Sequence, residues 1–126
     1  MSKRFDNKRI FYILMTLLIA LEIFLFSNMS SIPLGEYTGF NMATLYHFGI
    51  FFMFTFFLSL SLINKKLNNK TIFIILLISL IYALSDEFHQ LFVMGRFCSI
   101  KDILVDFSGS IFSVLILKVI GKFNKL

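Results

Sequence analysis

The stretch TIFIILLISLIYALSDEFHQ, residues 71–90, decides the fold class of this chain. Up to Ser85 every side chain is apolar or carries a hydroxyl, and the last five residues then add two carboxylates, an imidazole and an amide. A helix of about 20 residues covers about 30 Å, the thickness of the hydrocarbon core of a bilayer. A helix also satisfies its own backbone hydrogen bonds in lipid. The stretch therefore predicts a transmembrane helix with a polar end.

The rest of the chain has the composition of a membrane protein. Of its 126 residues 58% are hydrophobic, including 18 phenylalanines, whereas soluble domains are about half apolar. The one cysteine excludes an internal disulfide, and the basic residues lie in short clusters between apolar runs, which argues against nucleic-acid binding. The runs predict one domain over residues 1–126, an all-α, polytopic bundle of four transmembrane helices at about 10–27, 44–63, 71–89 and 101–120.

The basic residues predict the orientation of these helices. Ten of the 12 Lys and Arg residues lie in the N-terminal segment, in the loop 64–70 or from Lys118 onward, and two lie in the segment 86–101. Because cytoplasmic segments carry the excess of Lys and Arg, both termini are expected in the cytoplasm. The DEFHQ end of the third helix is then expected on the extracytoplasmic side of a multi-pass protein of the cell membrane.

Ionisable side chains lie at a similar height in all four predicted helices. At about 1.5 Å per residue, the distance along each helix from its cytoplasmic basic residue is about 20–27 Å for Glu22, His47, Asp86 and Asp106. Charged groups at such a depth are costly and usually face the bundle interior, a cavity or one another. The pattern predicts a polar pocket in the outer half of the bundle.

The spacing of these residues indicates which helix faces form the pocket. Positions i, i+3 and i+4 place three polar residues on one side of the third helix, with Tyr82 about a turn below: Asp86, His89 and Gln90. One side of the fourth helix carries Asp102, Asp106 and Gly109. We expect the two stripes to pack against each other, because small residues such as glycine allow helices in lipid to approach closely.

Arg96 lies between the two stripes and adds a permanent positive charge. Gly95 before it permits a turn, and the planar guanidinium suits carboxylate or phosphate oxygens. Two roles are open for this residue. It neutralises the nearby carboxylates in a structural ion pair, or it holds an anionic group of a substrate.

The segment SDEFHQLFVMGRFCSIKDILVDFSG, residues 85–109, resembles the signature of VanZ-like membrane proteins. That signature reads Asp-Glu-x-His-Gln, then a Gly-Arg turn, Ser-x-x-Asp, and an acidic or amide residue shortly before glycine. The matching residues here are Asp86, Glu87, His89, Gln90, Gly95, Arg96, Ser99, Asp102, Asp106 and Gly109. HFGIFF, which begins at His47, is similar to the start of an earlier helix in the family, and Met94 stands where the family has proline.

The resemblance implies a bacterial protein of the cell envelope with four membrane spans. The member that gives the family its name is associated with low-level resistance to the glycopeptide antibiotic teicoplanin. A link to teicoplanin resistance is therefore an expectation for this chain that follows from the resemblance alone. The resemblance does not itself assign a biochemical activity.

Four functions are compatible with the predicted pocket, and whether the chain is an enzyme stays open among them. It is an enzyme acting on an anionic lipid or a lipid-linked wall precursor, a non-catalytic protein that binds such a molecule, a small ion or proton carrier, or a bundle whose polar cluster only pins its helices together. The candidate catalytic residues are Asp86, Glu87, His89 and Asp102. The candidate substrate-binding residues are His47, Gln90, Arg96 and Asp106.

No cofactor is expected from the sequence, although a divalent metal is a further hypothesis. Carboxylates and imidazole are ligands that suit zinc or manganese. In this hypothesis the ligands are Asp86, His89 and Asp102.

Overall fold

The computed structural model describes residues 6–30, 42–63 and 67–123, and it confirms an all-helical bundle. Its helices are α1 Asn7–Ser27, α2 Met42–Leu62, α3 Asn69–Gln90 and α4 Ile100–Phe123. Each helix is long and apolar enough to cross a membrane. The observed ends differ from the predicted ones by three residues or fewer, because the apolar runs set the length of each span.

The helix α2 lies at the centre of the bundle. It contacts α1, α3 and α4, whereas α1 and α4 do not contact each other within the described residues. Its side chains Phe51, Phe54 and Leu58 belong to the buried apolar core. The helices α1 and α4 therefore flank the α2–α3 pair on opposite sides.

The bundle buries many polar side chains and exposes many large apolar ones. Leu17 and Phe73 are 61% and 66% exposed, as expected for side chains that face lipid. Inside, the fully buried Thr55 hydroxyl lies 2.9 Å from both the Ser79 and the Ser110 hydroxyl. Because lipid is as apolar as a leucine side chain, close packing and such hydrogen bonds between helices hold the bundle together.

Gly109 allows a close contact between α4 and α2. A Cβ at this position would overlap the Phe48 carbonyl oxygen and would lie 3.2 Å from the Phe52 nitrogen. The expectation that Gly109 packs against the third helix is therefore wrong. Tyr82, expected at the same contact, donates its hydroxyl to the Ala20 carbonyl oxygen of α1 at 2.6 Å. Helical spacing identifies residues that share a face, but not the neighbour which that face meets.

The turn between α3 and α4 is built by two residues of the 85–109 segment. Gly95 has a φ of 79°, in the left-handed region that favours glycine. Ser99 directly precedes α4, and its hydroxyl accepts a hydrogen bond from the Asp102 backbone N–H at 3.3 Å. Such a cap satisfies an N–H group that has no partner within the helix. The Ser-x-x-Asp spacing therefore marks the start of α4.

Candidate functional site

A cavity of about 160 Å³ lies between α1, α2 and α3, near the Gln90 end of α3. Part of its wall is apolar and includes Ile23, Phe26 and Phe51. The polar part of the wall consists of Ser27, Tyr46, His47, Asp86, Gln90 and Arg96. Four of the eight site residues predicted from the sequence thus lie on this cavity: His47, Asp86, Gln90 and Arg96.

Some polar groups of the cavity wall are incompletely hydrogen-bonded. The Tyr46 hydroxyl is buried and has no hydrogen-bond partner within the described residues. Ser27 Oγ approaches the Asp86 carboxylate but makes no well-formed hydrogen bond in this part of the chain. Asp86 Oδ2 accepts one hydrogen bond, from Gln90 Nε2 at 3.2 Å. Since buried polar groups in proteins are nearly always paired, this wall is suited to a polar ligand.

A buried cluster of three ionisable side chains adjoins the cavity. His47, Glu87 and Asp106 each offer one nitrogen or oxygen atom, and these atoms lie within 4.8 Å of one another. His47 Nδ1 lies 2.9 Å from Asp106 Oδ1. Because His47 also lines the cavity, it joins the two parts of the site. We refer to this group as the His47–Glu87–Asp106 cluster.

Both carboxylates of the cluster are fully buried, and each keeps one oxygen without a partner. Glu87 Oε2 accepts the backbone N–H of Ser99 at 2.8 Å. Glu87 Oε1 and Asp106 Oδ2 have no hydrogen-bond partner among the described residues. The cap residue of α4 therefore holds one oxygen of the Glu87 carboxylate and leaves the other without a partner in the described part of the chain.

Arg96 holds the end of α1. Its Nε donates to the Met29 carbonyl oxygen at 3.0 Å, and its Nη2 donates to the Phe26 carbonyl oxygen at 2.9 Å. Carbonyl groups at the C-terminal end of a helix are partly negative, so a cation there is favourable. Within the described residues Arg96 forms no ion pair with a carboxylate. Its contacts therefore differ from the structural ion pair considered from the sequence, and Arg96 also lines the cavity.

His89 and Asp102 lie outside the His47–Glu87–Asp106 cluster. His89 Nε2 lies 2.7 Å from Asn28 Oδ1, just beyond the end of α1. Asp102 is half-buried in the first turn of α4. The three ionisable residues that the structure brings together thus differ from the hypothesised metal ligands Asp86, His89 and Asp102.

The residues missed by the sequence reasoning are Ser27 and Tyr46. Both residues line the cavity, and their hydroxyl oxygens are buried. Ser27 ends an apolar run, which is also typical of an ordinary helix end. Tyr46 stands beside His47 in an aromatic-rich helix, where nothing in the pattern separates a buried tyrosine from one that faces lipid.

The chain was compared with protein-family models, curated proteins and solved structures. The family model described as VanZ/LLP1 matches residues 3–121 of the 126-residue chain. The match includes the whole cavity wall and the His47–Glu87–Asp106 cluster. The comparisons with curated proteins and with solved structures gave no match.

Proposed function

This chain belongs to the VanZ/LLP1 family of membrane proteins, and we propose that its cavity binds the anionic headgroup of a lipid or of a lipid-linked cell-wall precursor. The observation that carries this proposal is that Tyr46 lines the cavity and that its buried hydroxyl has no partner within the described residues. A buried hydroxyl left unpaired costs about 1–3 kcal/mol. A ligand oxygen in the cavity removes that cost.

The charges of the cavity wall suit a phosphate group that also carries hydroxyl or amino groups. The Arg96 guanidinium has N–H groups besides the two that hold α1, and its planar fork matches phosphate oxygens. Asp86 is a hydrogen-bond acceptor for hydroxyl or amino donors of the ligand. A headgroup with both features makes favourable contacts with both residues.

The size of the cavity limits how much of the ligand is enclosed. A volume of about 160 Å³ is below the range of about 300–1,000 Å³ that is typical of pockets for drug-sized molecules. The cavity therefore encloses a phosphate and a few further atoms. Phe26 lines the cavity and is also 46% exposed, so the apolar chain of the ligand extends along this residue into the surrounding lipid.

We infer that the cavity faces the extracytoplasmic side of the cell membrane. The support is the distribution of Lys and Arg, ten on the side of the termini and two on the side of the α3–α4 turn. In this orientation the cavity is accessible to lipids of the outer leaflet and to wall precursors after their export.

A second function, turnover at the headgroup phosphate, is favoured by one observation. His47 lies in the cavity wall and is held by Asp106 at 2.9 Å. An imidazole oriented by a carboxylate is the arrangement of a general base. In this role Asp86 contacts the same headgroup. Glu87 does not line the cavity and acts on the headgroup through its cluster neighbours His47 and Asp106. Release of phosphate or of a dephosphorylated lipid from bound substrate would distinguish turnover from binding.

Binding is tested with the purified full-length chain in lipid nanodiscs. The ligands are phosphatidylglycerol, undecaprenyl pyrophosphate and, as the zwitterionic comparison, phosphatidylcholine. A hydrogen bond to a charged group contributes about 1.5–3 kcal/mol, so Tyr46→Phe is expected to weaken binding of the anionic ligand about 10- to 100-fold. Tyr12→Phe is the matched control, since Tyr12 lies near the opposite end of α1 and is not part of the cavity. Equal binding of all three lipids, unchanged in Tyr46→Phe, would contradict the proposal.

The source of the headgroup is identified in cells. If the ligand is a wall precursor, deletion of the gene changes teicoplanin sensitivity, and Tyr46→Phe reproduces the change. If the ligand is an ordinary phospholipid, teicoplanin sensitivity stays constant while growth under lipid stress changes. Both phenotypes are compared at equal amounts of the protein in the membrane.

A further inference from the structure

We propose that His47, Glu87 and Asp106 bind one divalent metal ion, zinc or manganese, at the edge of the cavity. The three side chains come from α2, α3 and α4, and all are buried. Imidazole nitrogen and carboxylate oxygen are ligands of both metals. This proposal does not depend on the proposed headgroup ligand, because binding of the metal is measured without adding that ligand.

The charge of the cluster supports a cation. Glu87 and Asp106 are each 0% exposed, and within the described residues no Lys or Arg forms an ion pair with either. Buried carboxylates are strongly unfavourable unless they are paired or coordinate a metal. The imidazole of His47 contacts Asp106 at 2.9 Å. A divalent cation balances the negative charge of both carboxylates.

Unpaired oxygens of the cluster provide a second, independent observation. Glu87 Oε1 and Asp106 Oδ2 are buried without a hydrogen-bond partner in the described part of the chain. The other Glu87 oxygen is already occupied by the Ser99 N–H. Metal-binding carboxylates in proteins are commonly held in this way by a neighbouring donor, which fixes the orientation of the free oxygen.

The distances within the cluster are close to those that an ion requires. Three ligand atoms at about 2.0–2.2 Å from a tetrahedral zinc ion lie about 3.3–3.6 Å from one another. The atoms of the cluster lie within 4.8 Å, and the His47–Asp106 pair lies at 2.9 Å. The separations therefore exceed the tetrahedral range by about 1.2 Å at most.

Three protein ligands leave room for another ligand on the ion. Catalytic zinc sites have this composition, whereas structural zinc sites use four protein ligands. Because His47 also lines the cavity, an ion in the cluster lies next to the cavity wall. If the headgroup proposal holds, a phosphate oxygen of the headgroup is the additional ligand.

The metal content of purified protein is the first test. Full-length chain purified without chelator and analysed by elemental mass spectrometry is expected to contain about one zinc or manganese ion per chain. Glu87→Gln and Asp106→Asn keep the side-chain shapes and are expected to lower this content at least tenfold. Asp102→Asn is the matched control, since it removes a nearby negative charge on the same helix but no atom of the cluster. It is expected to retain the metal.

A cobalt titration decides the proposal even if a variant fails to fold. Chelator-treated wild-type protein is expected to bind one Co²⁺ with a visible absorption band, which zinc then removes. The proposal is overturned if the wild type binds no metal after reconstitution, or if Asp106→Asn binds as much as the wild type. A wild-type protein that binds no metal but still shows Tyr46-dependent lipid binding would reject this site and leave the headgroup proposal standing.

Discussion

Replacing Gly109 by alanine tests whether the contact between α2 and α4 holds the His47–Glu87–Asp106 cluster together. The added Cβ overlaps the Phe48 carbonyl oxygen and comes within 3.2 Å of the Phe52 backbone nitrogen. Backbone atoms of a helix cannot rotate away as the end of a side chain can, so α4 has to move back from α2.

The size of the effect follows from a comparison with two other glycines. Overpacking a close-packed contact costs about 1–3 kcal/mol. Alanine in place of glycine also gains up to about 1 kcal/mol of helix propensity. Gly49→Ala and Gly121→Ala share this gain but not the overlap, because in the described part of the chain nothing lies within 4 Å of a Cβ at either position. We therefore expect Gly109→Ala to have a free energy of unfolding about 1–3 kcal/mol below that of the two controls.

The same substitution is expected to disturb the cluster. Phe48 directly follows His47, and Gly109 lies three residues after Asp106, nearly one helical turn. Separation of the helices at Gly109 therefore lengthens the 2.9 Å contact between His47 and Asp106. Metal content is expected to fall in Gly109→Ala and to stay unchanged in Gly49→Ala.

Unfolding by SDS in mixed micelles, followed by circular dichroism, measures the stability of each variant. The helical signal is the suitable probe because the chain has no tryptophan. If Gly109→Ala unfolds at the same SDS fraction as Gly49→Ala and keeps its metal, the α2–α4 contact does not set the geometry of the cluster.

Three further predictions concern stability, binding and orientation. Arg96→Ala removes two hydrogen bonds to the end of α1 and should lower the free energy of unfolding by about 1–3 kcal/mol. Arg96→Lys should restore part of this stability but not headgroup binding, because lysine lacks the planar fork. A lysine variant that binds lipid like the wild type would exclude Arg96 as a headgroup ligand. Thr55→Val breaks the contacts to two buried serine hydroxyls and should lower the free energy of unfolding by about 0.6–1.7 kcal/mol in the same SDS assay. An unchanged unfolding midpoint would show that these contacts do not stabilise the bundle. The exposed Cys98 should react with an impermeant thiol reagent on intact cells. In a Cys98→Ser background, Asn68→Cys should react with the same reagent only after permeabilisation. The opposite pattern would place the cavity on the cytoplasmic side.

The helices were predictable from the sequence because each depends on residues close together in the chain. Apolar runs of bilayer length determine the spans. The cap of α3 is equally local, since the Asn68 side chain accepts the Thr71 N–H at 2.8 Å. The match to the VanZ/LLP1 family likewise confirms a resemblance that was carried by one segment, residues 85–109.

The arrangement of the helices was not predictable in the same way, since it depends on pairs that are far apart in sequence. His47 and Asp106 are 59 residues apart, and Tyr82 and Ala20 are 62 apart. Helical spacing predicted that Asp106 and Gly109 share a face, but α2 rather than α3 covers Gly109. Four helices of similar length and composition can pack in several orders, and single-sequence periodicity does not distinguish them.

The DEFHQ motif shows why adjacent polar residues at a helix end need not have one common role. Asp86 and Glu87 are adjacent and point about 100° apart, and His89 lies nearly one helical turn beyond Asp86, so the three side chains meet different surroundings. Asp86 lines the cavity, Glu87 joins the buried cluster with α2 and α4, and His89 contacts Asn28 beyond the end of α1. Because α3 contacts each of the other helices, one turn of it can contribute to all three places. The short spacing of the motif therefore follows from the central position of the α3 end, and a shared catalytic centre is not needed to explain it.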